Sequence, residues 1–90
     1  MEAKKLVGWN IRRLRVERGL TIEELAAEAD VAPAYLGQVE RGVVNVGIVI
    51  LGRVAETLGT RLAELFVEPL PEADPPKPLR AGRRRAKRRS

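Results

Sequence analysis

The stretch from Leu20 to Arg41, LTIEELAAEADVAPAYLGQVER, leaves a chain of this size few folds to choose from. Two short helices fit within it, separated by a turn too short for anything else. Thr21 is a good N-cap, and Glu24 three residues later completes the reciprocal T-x-x-E box that satisfies two backbone donors. Leu20 before the cap and Leu25 after it have the spacing of a hydrophobic staple. Ile22, Leu25, Ala26 and Ala29 then recur at helical spacing. Asp30 interrupts them where one residue is expected to be left-handed, a conformation Asp tolerates better than most. Pro33 starts the next helix, because a first-turn proline gives up only a hydrogen bond that would be missing anyway. Tyr35, Leu36 and Val39 form its predicted buried face, and Gly42 ends it. Helix, short turn, helix is the geometry that lays a second helix into a DNA major groove.

The flanks extend the helical pattern. A helix is predicted over Ala3–Arg18, with Val7, Ile11 and Leu14 on one stripe and Arg12, Arg13, Glu17 and Arg18 turned away. Gly8 inside it weakens a helix relative to Ala, so close packing is expected there. Gly19 reads as its left-handed cap. Arg41–Asn45 reads as a loop. The following VVNVGIVIL has the β-branched density of a strand. Against that, Ile48, Leu51, Val54, Ala55 and Leu58 share a helical stripe, and a lone strand would have no partner. A fourth helix is therefore predicted over Gly47–Leu58, and Thr60 is expected to cap a short fifth one carrying Leu62, Leu65 and Phe66. Beyond Phe66 the chain holds five of its six prolines and cannot continue a helix. The expectation is an all-α, five-helix bundle over residues 1–68. Residues 69–90 read as a Pro-rich linker and basic tail, disordered because they have no apolar surface to bury.

Ninety residues suffice for one small domain. Its aromatic residues are Trp9, Tyr35 and Phe66, so the core must be aliphatic. The chain has neither cysteine nor histidine, which removes disulfides, thiolate metal sites and the usual general base. Glu23 and Glu24 are adjacent on a helix and point apart, so they are no catalytic pair. With no Gly-rich phosphate loop, metal cluster or activated nucleophile, neither enzymatic activity, cofactor nor small-molecule ligand is expected. The amino terminus lacks a long apolar run, so no signal peptide or membrane span is expected and a cytoplasmic location follows. The net charge of +5 is unevenly placed. Through Phe66, nine basic residues balance nine acidic ones, whereas Lys77–Ser90 carries eight basic residues and no acidic one. Such a polycation can neutralise phosphates, lie in a narrow minor groove, or merely solubilise the chain.

From Val7 to Phe66 the elements IRRLRVERGLT, EELA, YLGQVERG and AETLG…LAELF stand in an order that resembles the Cro/cI-type (Xre) helix-turn-helix family of bacterial and phage DNA-binding regulators. The run YLGQVERGVVNVGI also resembles the small controller proteins of restriction–modification systems. The resemblance implies a bundle whose third helix reads double-stranded DNA. It also implies a dimer on a pseudo-palindromic operator with half-sites about one helical turn apart, acting like a repressor by occupying a promoter. Within that class a restriction–modification controller and the antitoxin partner of a toxin are both open. Outside it, the alternative is a protein-interaction adaptor.

The same resemblance sets a phosphate against the start of the second helix, at Thr21 and the amides of Ile22 and Glu23. Ile22 stands where the family often has Gln, which removes one side-chain contact; Thr21 also reads simply as a cap. On the third helix, Ala32, Pro33, Ala34, Gly37 and Gln38 are left for the groove. Gln38 can pair bidentately with adenine, or be an ordinary solvated side chain, and Ala or Pro can touch a thymine methyl. So sparse a set leaves room for readout of DNA shape. Arg41 is expected to reach a phosphate or guanine, or else to be a solvated loop charge. Asn45 is expected to meet phosphate from the loop, or to stabilise its own turn. Arg15 and Glu40 match a family pair that is structural. Finally, Val49 and Ile50 fall outside the core stripe while Val43, Val44 and Val46 crowd the preceding loop. That patch is unusual for a monomer, so a homodimer through helix four, using Val46, Val49 and Ile50, is expected.

Overall fold

The computed structural model describes residues 1–69. They form α1 (Ala3–Glu17), α2 (Ile22–Ala29), α3 (Pro33–Arg41), α4 (Ile48–Leu58) and a final 3-10 helix (Leu62–Phe66). The expected basic tail, Lys77–Ser90, and the proline-rich segment from Leu70 onward lie outside the described residues. Among the described residues the architecture is all-helical, as expected, with the fifth element a 3-10 helix rather than an α-helix.

The helix ends follow from local chemistry. Gly19 is left-handed at φ 71°, and the Leu20 N–H closes α1 by donating to the Arg15 carbonyl. At the start of α2 the Glu24 N–H donates to Thr21 Oγ1 at 3.0 Å, and the Thr21 N–H donates to Glu24 Oε1 at 2.9 Å. Asp30 ends α2 with φ 59° and ψ 52°, inside the left-handed region. Pro33 is the first residue of α3, which runs one residue further than expected and takes in Arg41. Gly42 has φ 72°, and a Cβ there would stand 2.9 Å from Lys5 Cα, so both conformation and space require glycine. Thr60 does not cap the last helix: its N–H closes α4 against Ala55, and Arg61 holds the N-cap position.

The core is aliphatic and draws on every element, with Ile11, Leu25, Leu36 and Leu65 fully enclosed. Gly8 explains the close approach of α1 to α3, since a Cβ there would meet the Val39 and Glu40 carbonyls, the latter oxygen at 2.5 Å. In α4 the buried residues are Leu51, Val54, Ala55 and Leu58, whereas Ile48 is 61% exposed and Ile50 is half-buried against the core. The stripe assigned to Ile48 is thus corrected. At roughly 100° per residue, Ile48 and Ile50 lie about 70° and about 90° to either side of its centre, and the neighbours decide which is covered. Phe66 is 43% exposed.

Two polar groups fasten the bundle. The Arg15 and Glu40 side chains are 6% and 5% exposed and meet in a two-pronged pair, Nε to Oε2 at 2.6 Å and Nη2 to Oε1 at 3.0 Å. Arg15 Nη1 also donates to the Leu20 carbonyl at 2.8 Å, tying the end of α3 to the α1–α2 junction. Asn10 is buried on α1, and its Nδ2 donates to the Leu65 carbonyl at 3.0 Å and the Val67 carbonyl at 2.9 Å, holding the last helix down.

Candidate nucleic-acid interface

The burial of Leu36 and Val39, together with the anchored Glu40, fixes which side of α3 faces outward. Ala32, Pro33, Ala34, Gln38 and Arg41 are exposed, and on the helical wheel Ala34, Gln38 and Arg41 lie opposite the core. Gly37, expected in the groove, is instead buried, with Arg41 Nη1 lying 3.5 Å from where a Cβ would stand. The side chain of Arg41 therefore folds back along its own helix instead of projecting from a loop.

At the start of α2 the capping box engages both the amide and the hydroxyl of Thr21. The Ile22 and Glu23 amides are what this helix end offers a phosphate, aided by the positive end of the helix dipole. Ile22 itself is half-buried and packs on the core, which accounts for an apolar residue at this position. Glu23 and Glu24 suit the helix dipole but oppose an approaching phosphate by like charge. Asn45 is exposed in the loop before α4. The N-cap positions of α3 and α4 are Ala32 and Gly47, and neither supplies a side-chain cap.

Lys5 joins this region, as sequence reasoning did not anticipate. Its stem packs beside Gly42, which sets the exposed Lys5 against the C-terminal end of α3. The glycine at position 42 was the readable part of that contact; its partner on α1 was not. The apolar surface near α4 is also redrawn. Val43, Ile48 and Val49 are 56%, 61% and 70% exposed, while Val44, Val46 and Ile50 are half-buried against the core. Among the described residues there is no cluster of metal-ligating side chains and no helix long and apolar enough to cross a membrane.

Residues 11–65 match the family described as helix-turn-helix. The chain is 43% identical over 65 residues to the uncharacterized HTH-type transcriptional regulator y4dJ of Sinorhizobium fredii, covering 72% of this chain and 84% of that protein. It is 40% identical over 62 residues to the HTH-type transcriptional regulator SlrR of Bacillus subtilis, covering 68% of this chain and 41% of that longer protein. Among solved structures, the restriction-modification controller protein C.AhdI from Aeromonas hydrophila superimposes with a TM-score of 0.68 at 36% identity, over 70% of this chain and 96% of that one.

Proposed function

The chain belongs to the helix-turn-helix family, and from that membership we propose that it is a transcriptional regulator whose α3 lies in the major groove of duplex DNA. The observation that carries this reading is the way α3 is held. Its inner side is fixed by Gly8 and by the Arg15–Glu40 pair, so its outer side is presented rigidly. On that side Ala32, Pro33 and Ala34 suit thymine methyl groups, and Gln38 suits adenine. The Ile22 and Glu23 amides and Asn45 serve the flanking phosphates and set the register without reading sequence.

A second copy completes the reading. Val43, Ile48 and Val49 form an exposed apolar surface beside the half-buried Val46 and Ile50. Burying it against its own copy would pair two α3 helices for a pseudo-palindromic operator in the cytoplasm. Residues 1–68 are the DNA-binding domain, and residues 69–90 a linker and basic tail that adds phosphate contacts without preference. The likeness to C.AhdI supports a restriction–modification controller as one member of this class.

A gel shift against genomic fragments at two salt concentrations tests the proposal. A regulator retains a few fragments at physiological salt. Loss of every fragment together would favour an adaptor whose tail alone touches nucleic acid.

A further inference from the structure

We propose that Gly37 is a positioning residue for sequence readout: its missing side chain lets the Arg41 guanidinium lie flat on α3 and reach base edges from the middle of the helix. The inference rests on the placement of α3 in the groove proposed above. It begins with a glycine that the fold does not explain. Gly8 is required by the α1–α3 approach, and Gly19, Gly42 and Gly59 have φ of 70–72°. Gly37 is an ordinary residue inside α3, and among the described residues, its chain neighbours and the helix backbone aside, the one atom within 4 Å of where its Cβ would stand is Arg41 Nη1 at 3.5 Å. That is normal van der Waals distance, so alanine would fit and would favour the helix. The bundle gains no packing from glycine here.

What a small residue does here, glycine or alanine alike, is leave room for Arg41. Helical side chains lean toward the N-terminus and cover the residue about four positions earlier. A long side chain at position 37 would fill the volume that the guanidinium now occupies and turn Arg41 away from the helix, toward the DNA backbone. Arg41 makes no side-chain ion pair or hydrogen bond among the described residues. Its five donors are uncommitted, at the level of Gly37. The rest of the outward face is Ala32, Pro33 and Ala34, which have no side-chain donors. A guanidinium fork in that place matches guanine O6 and N7, whereas from the helix end it would meet phosphate. The readout pair is then Gln38 and Arg41, for adenine and guanine.

The test is selection of preferred duplexes from a random library by the full-length protein, followed by base preference at each position for Gly37→Ala, Gly37→Met, Arg41→Lys and Gly37→Met with Arg41→Lys. The lysine keeps the charge and loses the fork, and the methionine is a helix former with no donor. Gly37→Ala should keep the parent's preferences. Gly37→Met and Arg41→Lys should each lose about tenfold preference for guanine at the same position, and the double variant should lose no more than either. Weakening of all sequences alike by Arg41→Lys would make Arg41 a phosphate contact and overturn the proposal. Additive losses in the double variant would also overturn it, by separating Gly37 from Arg41. Should Gly37→Met fail to fold in a thermal melt, Gly37→Leu, also a helix former with no donor, takes its place with the same two outcomes. A parent that selects no sequence at all would refute the regulator reading itself.

Discussion

Arg15 and Glu40 show how one pair of residues can hold a small fold. Each carries a charge that would be costly to bury alone, and each is buried because the other meets it at two points. Glu40→Ala leaves the guanidinium of Arg15 enclosed with the Leu20 carbonyl as its remaining partner. The expected loss is about 3–5 kcal/mol in a denaturant melt, a large share of the stability of a domain this size. Melting within a degree of the parent would contradict the pair's role. Asn10 is the corresponding anchor for the last helix. Asn10→Ala strands the Leu65 and Val67 carbonyls and should cost about 1–3 kcal/mol, with α1 otherwise intact by circular dichroism. The two anchors differ in how readable they were. Arg15 and Glu40 are complementary side chains that match a family pattern. Asn10 bonds to backbone carbonyls, which every residue has, so nothing in the identities of Leu65 or Val67 marks them as partners.

Among the elements, α2 is the most completely written into the sequence. Its cap, box and left-handed end are local chemistry, and Thr21, Glu24 and Asp30 carry them without help from tertiary contacts. Thr21→Ala should cost about 1 kcal/mol through removal of the cap and weaken binding to all DNA sequences alike, because helix-start contacts position rather than specify. The outward face of α3 was readable to the same degree, apart from Gly37. There the decisive fact is the path of a neighbouring arginine, which depends on the absence of a side chain. In α4, periodicity places Ile48 and Ile50 at similar angles on either side of the buried stripe, and the packing of neighbours chooses between them. Ile50→Ala should therefore destabilise by more than about 1 kcal/mol, while Ile48→Ala should stay within about 0.5 kcal/mol. The reverse order would mean that α4 is rotated about its axis.

In the reading proposed above, the neutral folded part and the basic segment beyond it divide the work. Deleting Lys77–Ser90 should flatten the dependence of log K on log salt by about 0.9 for each phosphate that the tail neutralises, with preferences among sequences unchanged. The exposed Ile48 and Val49 belong to the dimer proposal, so Ile48→Glu with Val49→Lys should sediment as a folded monomer at high micromolar concentration where the parent associates. Both results concern how tightly the protein holds DNA. Whether α3 reads it is tested most directly by ranking single-base variants of a preferred operator with the parent and with Gln38→Ala. The variant should relax preference at one base pair by about 1–3 kcal/mol and leave the order at the others intact. An unchanged ranking at every position would contradict readout by this face of α3.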